Sequence, residues 1–287
     1  MSPTRRFGQT RMSAPPLDRH TRALHLVKTI LTTTPLTTTR PVHYPNTLCQ
    51  WKDRVHVITS IDGLRRALSA SKSPPSEASR IIVTGLSAID ALLPGGKFAT
   101  GAVHEILSGT ETPPFLLPIL IARSASRFGR IVWCDGLRQL HPPAVAALGL
   151  SLDRLVVLRP PSVADELWAV AECLRCKGVA ACVAPLSRLS RVQARRLQLA
   201  AERGGGIGLV LRPVDAVSWP YAANTRWLVR PMPGERTVQR MSIELVHGHG
   251  GRVGNVLVEL CRETHHVRAF AEMAHRPDQA QTAPASA

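Results

Sequence analysis

Residues 178–213 read GVAACVAPLSRLSRVQARRLQLAAERGGGIGLVLRP: an apolar run, a helical stretch and a second apolar run in succession. The runs at 179–184 and 207–211 are continuously apolar rather than alternating, which is what strands buried on both faces require. Between them, residues 189–203 carry apolar side chains and arginines at helical spacing, so the unit predicts strand, crossover helix and parallel strand.

Working outward, the same pattern repeats. Strands are predicted at 102–107, 130–134 and 154–158, and helices at 113–128, 142–148 and 163–177, with Thr112 as cap and Gly129 as stop of the first. Strands alternating with helices define an α/β fold with a mainly parallel sheet covered by helices on both faces. Two further β-type runs, 226–230 and 240–246, precede the turn-rich HGHGGRVGN and a third run, 255–260. That end predicts an antiparallel extension.

Upstream, Ser60 caps a short helix that places Ile61, Leu64 and Leu68 on one face before the breaker SPPS. Residues 1–52 hold eight Lys/Arg against Asp18 alone and include LTTTPLTTTRP. So few large apolar groups cannot offset ordering entropy, and a disordered basic arm is expected. The organisation expected is therefore a basic arm at 1–52, a short docking helix and linker at 53–79 and a core at 80–235. An antiparallel extension at 236–270 and a disordered tail at 271–287 complete it.

The 287 residues carry 36 Lys+Arg against 20 Asp+Glu, a formal charge of +16, with 44% apolar and 4% aromatic content. That content excludes wholesale disorder and suffices for one core of domain size or two small ones. The longest apolar stretch, 115–122, contains Pro118 and ends at Arg123, short of the roughly 20 residues of a membrane span. His25 and Lys28 interrupt what would be the apolar region of a secretory leader, so a cytoplasmic protein is expected. Six scattered cysteines do not form a disulfide scaffold, and reduced thiols are expected.

Residues 84–109, TGLSAIDALLPGGKFATGAVHEILSG, resemble the RecA-type recombinase core. The matching features are Thr84-Gly85, the helix ending in Ile89-Asp90, the Gly95-Gly96 turn and the strand from Gly101 through Glu105-Ile106. The resemblance continues through WCDG at 133–136 and HPPAVAALGLSLDRLVVL at 141–158, and covers residues 80–212. It implies a RecA-like sheet in which the strand beginning at Gly101 feeds a phosphate loop.

A phosphate loop reads GxxxxGK[ST], because backbone N–H groups wrap the phosphates, the lysine reaches their outer oxygens and the hydroxyl binds Mg²⁺. Counted from Gly109, the last three positions are Pro114, Phe115 and Leu116. Proline offers no N–H, and the other two replace a cation and a metal ligand with hydrocarbon. The glutamate that positions attacking water in recombinases aligns with Leu137, two residues after Asp135, and the acid ending the Walker B strand aligns with Pro185. No enzymatic activity and no cofactor are expected.

Three more segments are similar to ImuA, a family of RecA-like accessory proteins of bacterial translesion synthesis. These are residues 190–213, with Arg195-Arg196-Leu197-Gln198-Leu199-Ala200-Ala201-Glu202 and Leu211-Arg212-Pro213, residues 222–231 with Thr225-Arg226-Trp227, and residues 240–260. LWAVAECLRC at 167–176 matches the same family. The resemblance implies a damage-induced (SOS) mutagenesis system, with contacts to an ImuB-type Y-family polymerase relative and, indirectly, to an error-prone C-family DNA polymerase. RecA and DNA are further candidate contacts. The chain departs from the family in its long Thr/Pro N-terminus and in Lys97, where a third glycine or small residue is common. A DNA-binding RecA paralogue in recombinational repair and a SulA-like cell-division inhibitor are the competing assignments.

Other chemistry is weakly signalled. Cys173 and Cys176 form a CxxC without the second pair that a structural zinc site needs, so buried helix cysteines are the default. His247, His249, His265 and His266 lie in turns or near the tail and make no ligand set, and no metal is expected. His104-Glu105 does not begin HExxH, since position 108 is Ser, and on a strand the two side chains face opposite sides of the sheet. Arg188, Arg191, Arg195 and Arg196 lie among Leu189, Val192, Leu197 and Leu199. The simpler reading is a solvated face of a helix packed on the sheet; the functional one joins these arginines and Arg226 in a contact to nucleic acid or an acidic partner.

Overall fold

Ten strands make one sheet in the order β1-β4-β3-β5-β6-β2-β7-β8-β9-β10 in the computed structural model, which describes residues 54–69, 80–109, 115–219 and 223–270. The strands are β1 (His56–Ile58), β2 (Ala102–Ser108), β3 (Arg130–Cys134), β4 (Leu155–Leu158), β5 (Val179–Pro185), β6 (Ile207–Pro213), β7 (Thr225–Met232), β8 (Val238–Gly248), β9 (Gly254–Cys261) and β10 (Val267–Phe270). Every pairing from β1 to β7 is parallel, and β7 through β10 pair antiparallel. The helices are α1 (Ile61–Ser69), α2 (Ser87–Asp90), α3 (Leu116–Ala125), α4 (Pro142–Ala147), α5 (Val163–Arg175) and α6 (Arg191–Gly204).

The continuous apolar runs find their explanation in two core layers. In β3, Ile131 and Trp133 pack with Leu117, Leu120 and Ile121 of α3, whereas Val132 and Cys134 join Val170 and Leu174 of α5 and Leu197 and Ala201 of α6. Strand side chains alternate, so both sets must be apolar when helices cover both faces. Past β7 only one face is covered by the main core. Met241, Ile243, Val256 and Val258 lie in the α3 layer. On the opposite face Glu259 accepts from Arg240 at 2.6 Å and from Arg268 at 2.9 Å.

The expected elements recur with shifted ends. The helix expected at 113–128 spans Leu116–Ala125, and the position of its expected cap, Thr112, lies outside the described residues. The helix expected at 163–177 ends at Arg175 because Cys176 is extended. The helix expected at 189–203 begins after Ser190, where Ser190 Oγ accepts from Gln193 N–H and Gln193 Oε1 accepts from Ser190 N–H, a reciprocal capping box. Its C-cap, Gly205, is left-handed, and a Cβ on Gly204 would collide with the Leu174 carbonyl, so glycine there lets α6 close on the end of α5.

Two strands have no counterpart in the expectations. Residues 56–58, read as part of a linker and docking helix, extend the sheet beside β4, supported by the two bonds from Arg54 to Asp153 at 3.0 and 2.7 Å. Residues 267–270 close the far edge on β9. The expected basic arm and tail, the SPPS breaker and Pro114 lie outside the described residues. Among the described residues no helix is long and apolar enough to cross a membrane.

Candidate functional site

The C-terminal ends of the parallel strands form the region where an α/β sheet places its ligands. Here β2 leads toward α3, whose N-terminus carries Phe115 and Leu116. Phe115 lies edge-to-face on Trp133 with centroids 5.8 Å apart, and Leu116 is 6% exposed. At these two positions hydrocarbon supplies neither a charge nor a ligand atom to a triphosphate or its Mg²⁺.

At the end of β3, Asp135 serves the fold. Its Oδ1 accepts from the backbone of Gln139 and Leu140 at 2.6 and 3.0 Å, and its Oδ2 accepts from Arg159 at 3.0 Å. Leu137 points into solvent, and Pro185 ends β5 paired with Leu211. The Thr-Gly…Asp motif is a clamp as well: Asp90 accepts from Thr84 N at 2.8 Å, Thr84 Oγ1 at 2.9 Å and Gly85 N at 3.1 Å, with Gly85 at φ 83°. Lys97 stands exposed beyond the Gly95-Gly96 turn.

A buried charge cluster spans β6, β2 and β7. Glu105 Oε1 accepts from Arg212 Nη1 at 2.9 Å, and Glu105 Oε2 accepts from Arg226 Nε at 2.8 Å. Arg226 Nη1 also donates to the carbonyls of Val217 and Trp219. Arg212 Nε and Nη2 have no hydrogen-bond partner, and its guanidinium lies 5.4 Å from the centroid of the Trp219 ring, whose π-face supplies the remaining compensation. Arg226 differs from Arg188, Arg191, Arg195 and Arg196: only 2% exposed, it is held beneath the surface by Glu105.

The other four arginines are exposed. In α6, Leu197, Ala200, Ala201 and Gly204 turn to the sheet, while Arg191, Arg195, Arg196 and Arg203 face outward with Val192 and Leu199. Arg188 lies in the irregular segment before Ser190. Arg191 and Arg195 stand between two grooves. The first, about 550 Å³, runs along α6 with Arg196, Leu199 and Arg203 and is bounded by Arg175 of α5. The second, about 870 Å³, lies between α6 and the segment containing Trp219 and Asn224, with His247 and His249 on its far side. These two histidines meet edge-to-face at 5.3 Å, and burial foremost, then the His249 and Arg226 charges, lowers His247.

Sequence reasoning missed the partners of Glu105 and one carboxyl. Glu166 of α5 has a buried Oε1 without a hydrogen-bond partner, and burial first, then Cys182, pushes it up to about 7. The CxxC cysteines separate: Cys173 is buried, whereas Cys176 is half-buried past the helix end. Cys173 and Cys134 each hydrogen-bond Cys182, and that bond together with burial pushes both thiols well above the usual range. Among the described residues no group of three His, Cys, Asp or Glu could hold a metal ion. Of the five cysteines among the described residues, a thiol reagent is expected to modify Cys176 and Cys261 first in native protein, Cys261 being lowered by its bond to Thr264. Peptide mapping checks this; modification of Cys134, Cys173 or Cys182 at the rate of Cys261 in folded protein contradicts it.

No family model matches the chain. Protein ImuA of Caulobacter vibrioides strain NA1000 / CB15N is 28% identical over 213 residues, covering 66% of this chain and 87% of its own length. The protein of the same name from strain ATCC 19089 / CIP 103742 / CB 15 matches equally. Among solved structures, the RadB recombinase aligns with a TM-score of 0.53 at 14% identity, over 67% of this chain and all of its own. The sheet is therefore RecA-like, with its antiparallel strands at the C-terminal end.

Proposed function

We propose that this chain is a member of the ImuA family and a non-catalytic RecA-like accessory protein in damage-induced translesion synthesis, a cytoplasmic adaptor for an ImuB-type polymerase relative. Through that relative it would reach an error-prone C-family polymerase, with RecA and DNA as further contacts. The observation that carries the non-catalytic part is the packing of Phe115 on Trp133 and the burial of Leu116, where a recombinase needs its lysine and hydroxyl. A triphosphate brought there would lose water without gaining a cation, at a cost of several kcal/mol for each unpaired charge. The adaptor part draws support from the family and from an outward helix face rich in arginine.

Two measurements test this. Titration of the full chain with a fluorescent ATP analogue in Mg²⁺ is expected to give no saturable binding; micromolar affinity lost on changing Gly109 contradicts the pseudo-ATPase assignment. Tagged chain co-expressed with the ImuB-type protein of its own genome is expected to retain it under native conditions. Failure to do so contradicts the adaptor role.

A further inference from the structure

Val192, Arg196, Leu199 and Arg203 succeed one another at helical spacing down the outer side of α6. Val192 is 79% and Leu199 41% exposed. Single exposed aliphatic residues are ordinary, but these two lie on one stripe, about 10 Å apart along the helix at 1.5 Å per residue, each followed by an arginine. Of the neighbouring guanidinium groups, Arg195 reaches Glu202 at 3.7 Å and Arg175 is paired with Glu172. Among the described residues no carboxylate stands within ion-pair distance of Arg191, Arg196 or Arg203. The groove is thus an aliphatic strip bordered by uncompensated positive charge.

We propose that this groove is the docking site for an acidic amphipathic helix of a protein partner. The occupant follows from complementarity. Apolar anchors seven residues apart on a partner helix would meet Val192 and Leu199, and glutamate or aspartate beside those anchors would meet Arg196 and Arg203. Single-stranded nucleic acid fits less well, because bases stack on aromatic rings and none of the described residues lining this groove is aromatic. The proposal deepens and rests on the adaptor role, for which it specifies the contact surface and the kind of segment that binds there.

The probe is a fluorescein-labelled peptide of about 20 residues, long enough to form a helix, with leucines at heptad spacing and glutamate and alanine elsewhere. A scrambled peptide of the same composition is the control. Fluorescence anisotropy with the full chain is expected to show saturable micromolar binding to the amphipathic peptide, weaker by about tenfold or more for the scrambled one. The variants Val192→Glu/Leu199→Glu and Arg196→Glu/Arg203→Glu should each lose at least about tenfold while keeping the wild-type circular dichroism, since these positions face solvent.

No saturable binding, equal binding of the scrambled peptide, or unchanged affinity of the Val192→Glu/Leu199→Glu variant overturns the proposal. So does an oligonucleotide that displaces the peptide and depends on the same two residues. Co-purification separates this failure from failure of the adaptor role. If wild type and the Val192→Glu/Leu199→Glu variant retain the ImuB-type protein equally, the groove assignment falls and the adaptor role stands. If wild type retains nothing, the adaptor role falls, and the peptide titration still decides what the groove binds.

Discussion

Replacing Glu105 by alanine is expected to lower the unfolding free energy by about 3–5 kcal/mol, a large share of what a domain of this size has. Glu105 is 2% exposed and lies between Arg212, 3% exposed, and Arg226, 2% exposed. Its removal leaves two guanidinium groups buried together with no counter-charge. Their backbone acceptors and the Trp219 ring disperse only part of that charge. The triple replacement Glu105→Leu/Arg212→Met/Arg226→Met is expected to recover most of the loss, because hydrocarbon of similar volume needs no compensation there. Urea unfolding followed by tryptophan fluorescence measures both, since Trp227 and Trp133 are buried. A loss below about 1 kcal/mol for Glu105→Ala would mean that solvent reaches the cluster. Breaking the exposed Arg54–Asp153 pair, with side chains 48% and 61% exposed, should have only a small effect by comparison.

Acidification provides the second large effect, and its origin is on the opposite face of the same strand. Burial pushes His104 down from 6.5 to about 4. Its surroundings suit the neutral ring: Nε2–H donates to the Ala99 carbonyl at 3.0 Å, and Nδ1 accepts from Thr225 Oγ1 at 2.7 Å. Thr225 Oγ1 in turn accepts from Trp227 Nε1 at 2.8 Å, which directs its own hydrogen toward His104. A proton on Nδ1 would require the Thr225 hydroxyl to turn its hydrogen away and accept from both rings.

Below pH 6.5 the unfolded chain takes up a proton at this histidine that the folded chain does not, so stability falls with pH until both forms are protonated below about 4. The depression corresponds to about 3 kcal/mol lost across that window. Chemical unfolding at a series of pH values is expected to show this slope in wild type and a flatter one in His104→Gln, whatever the variant's stability at neutral pH. Parallel curves for the two proteins would exclude His104 as the source.

How much of this was readable beforehand differs from one element to the next. Residues 131–134 and 179–184 announce doubly covered strands because every residue in them is apolar, and both strands lie inside the sheet with a neighbour on each side. β1 and β10, three and four residues long, are too short for a period of two to register, and pairing with β4 and β9 defines them. The helix ends moved for local reasons: the capping box at Ser190, the extended Cys176 and the left-handed Gly205. The four outward arginines of residues 188–196 were legible as charge, and Arg226 was grouped with them because isolated residues do not reveal burial.

Sequence by itself determined the α/β class, the resemblance to RecA-type cores and the hydrocarbon at Phe115 and Leu116, since each of these depends only on side-chain identity at local spacing. Only the tertiary structure decided that Glu105 meets Arg212, 107 residues away, and Arg226, 121 residues away. The strand order β6-β2-β7 alone brings those three side chains to one face. It likewise decided that Val192 and Leu199 remain exposed, because Gly204 admits the Leu174 carbonyl and commits the Leu197, Ala200 and Ala201 side of α6 to the core. Charge pairing and burial depend on neighbours that chain order does not specify, whereas periodicity and composition are written along the chain itself.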